Sequence, residues 1–221
     1  MAANMKGDWN ERARENARFY IASSDDGSET AFDESGLRDV TLFFAGLEHL
    51  LTPQTRVLDI GCGIGRMDKH VAPQVGKLTG VDVSGEMVAM ARQRLSDIDN
   101  VEFLEGDGET LPVPDGSVDL VFSHIVFQHM PREYARSYFK DVYRALSAGG
   151  RFIFQMPEAS ADTPADPPEE DTWEMRYWTK EQLCDELGAL GFAFVDERRH
   201  PVESPLLKFN QLRVHFCKPA G

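Results

Sequence analysis

The sequence predicts an α/β fold in which a doubly wound, mostly parallel sheet carries helices on both faces. Short apolar runs that end in an acidic residue alternate with longer stretches whose apolar residues recur at helical spacing. One of these runs, Val57–Ile60, leads directly into a glycine-rich turn and a helix-like stretch. The chain has 221 residues, of which 42% are hydrophobic, so it suits one α/β domain with small additions.

Composition argues against several classes of protein. A formal net charge of -14 leaves no broad basic face for nucleic acid. No apolar run approaches the ~18 residues of a membrane span, and residues 1–10 lack the apolar core of a signal peptide. The cysteines are widely spaced and form no metal-binding or disulfide pattern. We therefore expect a cytoplasmic protein with a small-molecule partner, no nucleic-acid or membrane partner and no metal site.

Two helices are predicted before the first strand. Residues 8–22 have Asp8 as a candidate N-cap and an apolar stripe at three- and four-residue spacing: Trp9, Ala13, Ala17 and Tyr20. Residues 38–51 show a second amphipathic pattern, which Pro53 closes. Both helices are expected to pack on the sheet.

The glycine-rich turn is the strongest chemical signal in the chain. Asp59 stands near the end of the first predicted strand, and glycines follow it at alternate positions: Gly61, Gly63 and Gly65. Glycine lets the backbone adopt unusual dihedral angles and approach a ligand closely. The helix predicted at residues 67–75 points its free N–H groups at the same place. The turn therefore predicts a nucleotide-type cofactor site.

The residues of the turn favour S-adenosylmethionine over a dinucleotide. The dinucleotide fingerprint requires glycine or alanine where this chain has Arg66. The carboxylate of Asp59 would repel a pyrophosphate, but it would attract a ligand that carries ammonium and sulfonium groups. An NAD-type oxidoreductase stays as the alternative.

Three stretches resemble motifs of the class I S-adenosylmethionine-dependent methyltransferases of small-molecule type. They are V-L-D-I-G-C-G-I-G at residues 57–65, G-V-D-V-S-x-x-M at 80–87 and L-P-x-P-D-G-S-V-D-L-V at 111–121. The resemblance covers about residues 40–218. It implies a Rossmann-like doubly wound sheet of about seven strands whose last strand is antiparallel. It also implies an N-terminal helical lid at residues 1–37 and a methyltransferase domain at residues 38–221.

Acidic residues at the ends of three predicted strands suit one adenosyl ligand. Asp82 lies 17 residues past Gly65, and its carboxylate can accept from both ribose hydroxyls. The resemblance assigns Asp107 to the adenine amine, with capping of the turn into Gly108 as the alternative. It places Met87 beneath the adenine, where core filling is the alternative. The predicted cofactor-binding residues are Asp59, Gly61, Cys62, Gly63, Gly65, Asp82, Val83, Met87, Gly106, Asp107, Gly108, Glu109, Ser123 and His124.

The remaining elements complete the sheet and the predicted substrate pocket. Strands are expected near residues 77–84, 101–107, 118–122, 151–157, 193–199 and 207–217, and helices at 84–95, 132–146 and from 179 to 188 or 191. The family places a substrate-facing segment at the loop 158–172 and the aromatic residues after it, which include Met175 and Trp178. The predicted substrate pocket comprises Tyr20, His129, Trp173 and Tyr177.

The predicted activity is transfer of a methyl group from S-adenosylmethionine to a small molecule by in-line displacement, leaving S-adenosylhomocysteine. His124, at the carboxyl end of the fourth strand, is the candidate catalytic base, with a cofactor contact or a backbone hydrogen bond as alternatives. His129 lies at the start of the long helix and is expected to be mainly structural. A non-catalytic adenosyl-binding module of the same fold is a further alternative. Neither the methyl acceptor nor the oligomeric state is indicated.

Overall fold

The computed structural model describes residues 4–22, 28–161, 163–203 and 208–221. The described helices are α1 (Met5–Ala22), α2 (Glu29–Phe43), α3 (Asp68–Val71), α4 (Gly85–Arg94), α5 (Arg132–Ala145) and α6 (Lys180–Ala189). The described strands are β1 (Arg56–Ile60), β2 (Lys77–Asp82), β3 (Val101–Glu105), β4 (Val118–Ser123), β5 (Leu146–Pro157), β6 (Ala193–Glu203) and β7 (Lys208–Cys217). None of these helices is long and apolar enough to cross a bilayer.

The described strands form one seven-stranded sheet in the order β3-β2-β1-β4-β5-β7-β6. Strands β1 and β2, β2 and β3, and β4 and β5 pair in parallel. Strand β7 pairs antiparallel with both β5 and β6. The predicted α/β sheet with an antiparallel last strand is therefore confirmed. The chain divides into two compact units, an N-terminal unit (Met5–Pro112) and a C-terminal unit (Val113–Gly221).

In the N-terminal unit, the parallel register brings the carboxyl ends of three strands to one edge. Asp59 pairs with Gly80, and Asp82 pairs with Glu105, so the turns that follow β1, β2 and β3 are neighbours. Ser84 caps α4 as predicted, its side chain accepting from the Met87 N–H. One buried cluster fixes α4 against the sheet: Cys62, Val88, Ala91, Leu95 and Phe103.

The prediction of a helix at residues 38–51 is wrong in both bounds. Helix α2 begins nine residues earlier, because the Ser28 side chain caps it by accepting from the Ala31 N–H. Gly36 does not interrupt the helix, since it lies against the Arg66 carbonyl, where an added Cβ would stand at only 2.5 Å. The helix ends at Phe43, and Gly46 follows with a φ of 80°. Helix α2 is therefore packed directly on the segment that follows the glycine turn.

Two further helix boundaries differ from the prediction. Helix α1 begins at Met5, so Asp8 lies in its first turn and does not cap it. The helix predicted at residues 67–75 is a single α-helical turn, Asp68–Val71, followed by a 3-10 turn at Ala72–Gln74. Proline at position 73 explains the change, since it supplies no N–H to an α-helical hydrogen bond.

In the C-terminal unit, an aromatic core packs beneath α5. The rings of Phe127, Phe139, Phe152 and Phe154 lie between 4.5 and 6.1 Å from one another. Strand β5 begins at Leu146, five residues before the predicted start, because Leu146 already pairs with Val118. Strand β6 extends to Glu203 through its pairing with β7. Residue 207, the predicted start of the last strand, lies outside the described residues.

Candidate cofactor site

The glycine turn after β1 has the backbone conformation that its sequence predicts. The φ angles of Gly61, Gly63 and Gly65 are 78°, 54° and 74°, a region that side chains with a Cβ rarely adopt. The N–H groups of Gly61 and Cys62 both donate to the Val81 carbonyl, at 2.7 and 3.1 Å. These bonds fix the turn to the end of β2.

Asp82 is held in place by two backbone N–H groups. Its Oδ2 accepts from the Gly63 N–H at 2.9 Å, and its Oδ1 accepts from the Ser84 N–H at 2.8 Å. Burial raises the pKa of Asp82 to about 6, against the lowering effect of these two bonds. Each oxygen keeps a further lone pair, so the oriented carboxylate fits the ribose hydroxyls of an adenosyl ligand.

The turn after β3 joins the same site. The Gly106 N–H donates to the Asp82 carbonyl at 2.9 Å. A Cβ on Gly108, whose φ is 90°, would stand 3.6 Å from the Val83 side chain and 3.1 Å from that of Met5. Glycine at this position therefore lets the side chains of Met5 and Val83 pack close to the turn after β3.

The Asp107 carboxylate accepts hydrogen bonds within its own turn. It accepts from the Glu109 N–H at 2.8 Å and from the N–H and hydroxyl of Thr110, both at 2.7 Å. Burial raises the pKa of Asp107, but the bonds from Thr110 and Glu109 outweigh it, and the net direction is downward. This is the geometry of the capping alternative, and the contact of Asp107 with adenine stays a prediction. Glu109 is exposed.

Asp59 and Cys62 lie inside the unit. Asp59 is only 4% exposed, and it lies near Asp68, the first residue of α3. Burial, followed by the charge of Asp68, raises the pKa of Asp59 well above its usual range. Cys62 packs in the cluster beneath α4, and burial raises the pKa of its thiol. Neither the sequence motif nor its spacing indicates Asp68.

Helix α1 runs along all three turns. Met5 contacts Gly108 at one end, and the Ile21 side chain would stand 2.8 Å from a Cβ on Gly63 at the other. Between them, the Asn10 side-chain oxygen accepts from the Ser84 hydroxyl at 2.8 Å and from the Glu86 N–H at 3.2 Å. Asn10 was not among the predicted site residues. The helix therefore covers residues that the sequence predicts to bind the cofactor.

Beneath α1 the contacts are apolar. Met87, 1% exposed, packs with Ala13, Ala17 and Ile64, which agrees with the core-filling alternative for this methionine. Asn16 interrupts the helix with a φ of -167°, and its side chain accepts from the Phe19 N–H, which starts a second helical segment. The Tyr20 hydroxyl donates to Glu15 at 2.7 Å.

Two predicted residues lie at the end of β4, in the C-terminal unit. Ser123 is buried and His124 is half-buried. Ile125 follows with a φ of 59°, the one positive value at a non-glycine position among the described residues. A β-branched residue is strained in this region, and such strain is concentrated at functional sites. No sequence pattern indicated it.

Two of the predicted substrate-pocket residues lie together, and a third lies elsewhere. His129 stacks on the Trp173 ring at 5.6 Å between centroids, and its Nδ1 lies 2.6 Å from the Trp173 carbonyl. Tyr177 instead makes an edge-to-face contact with Phe209 at 6.0 Å, and burial raises its pKa. Trp178 is buried, so it cannot form a pocket wall.

A buried arginine organises the loop between β5 and α6. Arg176 is 1% exposed and donates to the carbonyls of Pro168 and Asp171, both at 2.9 Å, and to that of His129 at 3.4 Å. The loop predicted as a polar segment is therefore ordered around one guanidinium, apart from residue 162, which is not described. Composition alone, which is polar throughout this loop, could not indicate Arg176.

Known proteins resemble the chain in sequence and in fold. A family model described as a methyltransferase domain matches residues 57–150. Arsenite methyltransferase of Halobacterium salinarum is 37% identical over 122 residues, which cover 52% of this chain and 30% of that protein. The matched stretches span from 30% to 53% of the length of this and two other curated relatives.

Solved structures share the fold across almost the whole chain. The cyclase SpnF superposes with a TM-score of 0.75 at 18% identity, covering 100% of this chain and 98% of that one. Magnesium protoporphyrin IX methyltransferase from Synechocystis, with bound S-adenosylhomocysteine, gives a TM-score of 0.68 at 16% identity, covering 96% and 97%. The match to residues 57–150 identifies this part of the chain, which contains the glycine turn and the residues around it, as similar to a methyltransferase domain, and the solved structures show that the whole chain shares the fold.

Proposed function

We propose that the protein binds S-adenosylmethionine at the ends of β1, β2 and β3 and transfers its methyl group to a small molecule. The observation that carries the proposal is the Asp82 carboxylate, oriented by Gly63 and Ser84 beside the glycine turn. When bound, this cofactor supplies a methyl group on a sulfonium with a neutral thioether as the leaving group. The protein then has to supply proximity, orientation and exclusion of water.

The described residues divide these tasks between them. Asp82 would hold the cofactor by accepting from its ribose hydroxyls, and the glycine turn would allow close approach of its amino-acid part. Helix α1 excludes water by covering the same turns with Met5 and Ile21, which supports a lid formed by residues 1–37 over a domain formed by 38–221. Its break at Asn16 gives the lid a place to bend.

His124 is the proposed base for acceptors that must lose a proton. Its half-buried position at the end of β4, next to the strained Ile125 backbone, supports this role. The stacked pair His129–Trp173 and the separate Tyr177 are the proposed acceptor-facing residues, with Tyr20 contributed by α1. The scattered cysteines favour the cytoplasm as the compartment.

The acceptor is proposed only as a class. The names of arsenite methyltransferase and magnesium protoporphyrin methyltransferase refer to unrelated methyl acceptors. Similarity to these proteins therefore does not identify the acceptor of this one. The test is formation of S-adenosylhomocysteine from S-adenosylmethionine in the presence of pooled small thiols, amines, phenols, carboxylic acids and arsenite. Turnover that depends on one pool supports the proposal. Tight cofactor binding with no turnover in any pool favours the non-catalytic alternative, and the cyclase SpnF shows that proteins with other named activities share the fold.

Replacing Gly63 by alanine tests the glycine turn as the cofactor cradle. We expect S-adenosylhomocysteine to bind about tenfold more weakly, since the Cβ forces φ away from 54° and displaces the N–H that holds Asp82. Gly116→Ala is the matched control, because its φ is 61° and an added Cβ would meet nothing within 4 Å. Equal affinities of the two variants for S-adenosylhomocysteine, measured by calorimetry, would contradict a role of the glycine turn in cofactor binding.

A further inference from the structure

The glycine turn is bracketed by two buried carboxyl groups. Asp59 stands in β1 just before the turn, and Asp68 opens α3 just after it. Asp59 is 4% exposed and Asp68 is 0% exposed. Asp68 raises the pKa of Asp59, so the two carboxyl groups are neighbours, and a Cβ on Gly65 would stand 3.7 Å from Asp68 Oδ2. The pair therefore lies behind the turn and joins its two ends.

Neither oxygen of Asp68 has an ordinary hydrogen-bond donor among the residues that the structure describes. A buried carboxylate without a donor is costly, so the contact with Asp59 has to supply one. Two carboxyl groups can hydrogen bond to each other only when a proton lies between them. A proton held between Asp68 and the neighbouring Asp59 would supply the missing donor.

The nearby cations form ion pairs with other carboxylates, and the buried Nε of Arg66 has no hydrogen-bond partner among the described residues. Arg66, which faces Asp59, binds Asp39 at 2.7 Å and the Ser35 hydroxyl at 3.1 Å. Arg94, which faces Asp68, binds Glu29 at 2.9 Å and Asp33, and donates to the Gly65 carbonyl at 3.1 Å. Both arginines hold α2 and the turn, and neither replaces the shared proton.

We propose that Asp59 and Asp68 share one proton and thereby clasp the two ends of the glycine turn, acting as positioning residues for the adenosyl ligand. The inference rests on the proposed function and adds a regulatory property to it. Loss of the proton places two carboxylates in contact inside the protein, so they repel and the turn loosens.

The electrostatic setting supports a transition near neutral pH. Burial raises the pKa of Asp68 to about 7, against the hydrogen bond from Asp59 and the charge of Arg94. Asp59 faces Asp68, Asp82 and Arg66, and Asp82 adds a further negative charge once it ionises above its pKa of about 6. Burial, followed by the charges of Asp68, Asp82 and Asp59, raises the pKa of the Cys62 thiol and keeps it neutral. Because the folded-state pKa of Asp68 lies above its unfolded value, its stabilising effect is lost as pH rises through about 7.

The test compares binding of S-adenosylhomocysteine to the full-length protein and to Asp68→Asn between about pH 7 and about pH 8.5. This ligand lacks the sulfonium charge, so direct attraction to the carboxyl pair does not obscure the result. The wild-type affinity should fall about tenfold over this range, near the limit that one linked proton allows. Asparagine donates permanently to Asp59, so the variant should change less than about twofold. Asp115→Asn, on an exposed carboxylate, should retain the wild-type slope.

Thermal unfolding without ligand gives a second readout that does not depend on the proposed function. The unfolding midpoint of the wild type should fall relative to that of Asp68→Asn as pH rises from about 5 to about 7.5, and the difference should then stay level. If Asp68→Asn fails to fold, Asp59→Asn takes its place in the comparison. Its amide donates to Asp68, the opposite direction, and it should show the same weak dependence on pH. Parallel pH profiles for the wild type and the asparagine variants, in stability and in binding, would overturn the clasp. If the unfolding midpoints show the expected pH dependence but no adenosyl ligand binds at any pH, the proposed function is overturned and the shared proton is not.

Discussion

The variant Asp82→Ala should bind S-adenosylhomocysteine at least about 1000-fold more weakly than the wild type at pH 7.5. Two hydrogen bonds from the ribose hydroxyls to a charged group are lost, each worth about 2 kcal/mol. The N–H groups of Gly63 and Ser84 also lose their acceptor, so the turn and the start of α4 relax together. Isothermal calorimetry measures the change.

Asp107→Ala provides the comparison for that experiment. Its carboxylate accepts three hydrogen bonds within its own turn, so its removal should affect binding far less than removal of Asp82. Equal losses in the two variants would restore Asp107 as a direct adenine contact. If the Asp82→Ala protein folds and keeps its affinity for S-adenosylhomocysteine, Asp82 does not bind the cofactor.

The variant His124→Ala should lower kcat about 100-fold for an acceptor that must lose a proton, with little change in the KM for S-adenosylmethionine. Proton transfer by a positioned side chain contributes an effect of this size, and it acts on the chemical step without changing cofactor binding. The measurement is S-adenosylhomocysteine formation, once an active acceptor is found.

His200→Ala is the matched control, because this histidine is exposed on β6. It should leave both constants unchanged. A His124→Ala enzyme with normal kcat would limit His124 to a contact or structural role, whereas a raised KM at normal kcat would indicate cofactor binding.

Local signals in the sequence were sufficient for the parts of the site that depend on neighbouring residues. Positive φ angles in the glycine turn follow from glycine itself, and the end of β2 with the cap at Ser84 follows from a run of apolar residues and a capping side chain. The antiparallel last strand followed from the family resemblance, and the sheet confirms it. These features are set within a few residues of each other in the chain.

The features that the sequence did not indicate depend on contacts between distant residues. Asp68 matters because β1 and α3 bring it against Asp59 inside the unit. Asn10 matters because α1 lies 74 residues from its partner Ser84. Helix α2 was placed nine residues too late, since its observed start depends on the Ser28 cap and Gly36 is accommodated by close packing on the Arg66 backbone. Periodicity within one segment carries no information on such partners.

The most direct test of the central claim is thermal unfolding of the purified protein with S-adenosylmethionine, S-adenosylhomocysteine or NAD. A ligand at ~100 times its dissociation constant adds about 2.7 kcal/mol to the free energy of unfolding, which is a clear shift of the midpoint. We expect both adenosyl ligands to stabilise the protein and NAD to have no effect. Stabilisation by NAD alone would contradict the cofactor assignment and with it the proposed methyl transfer.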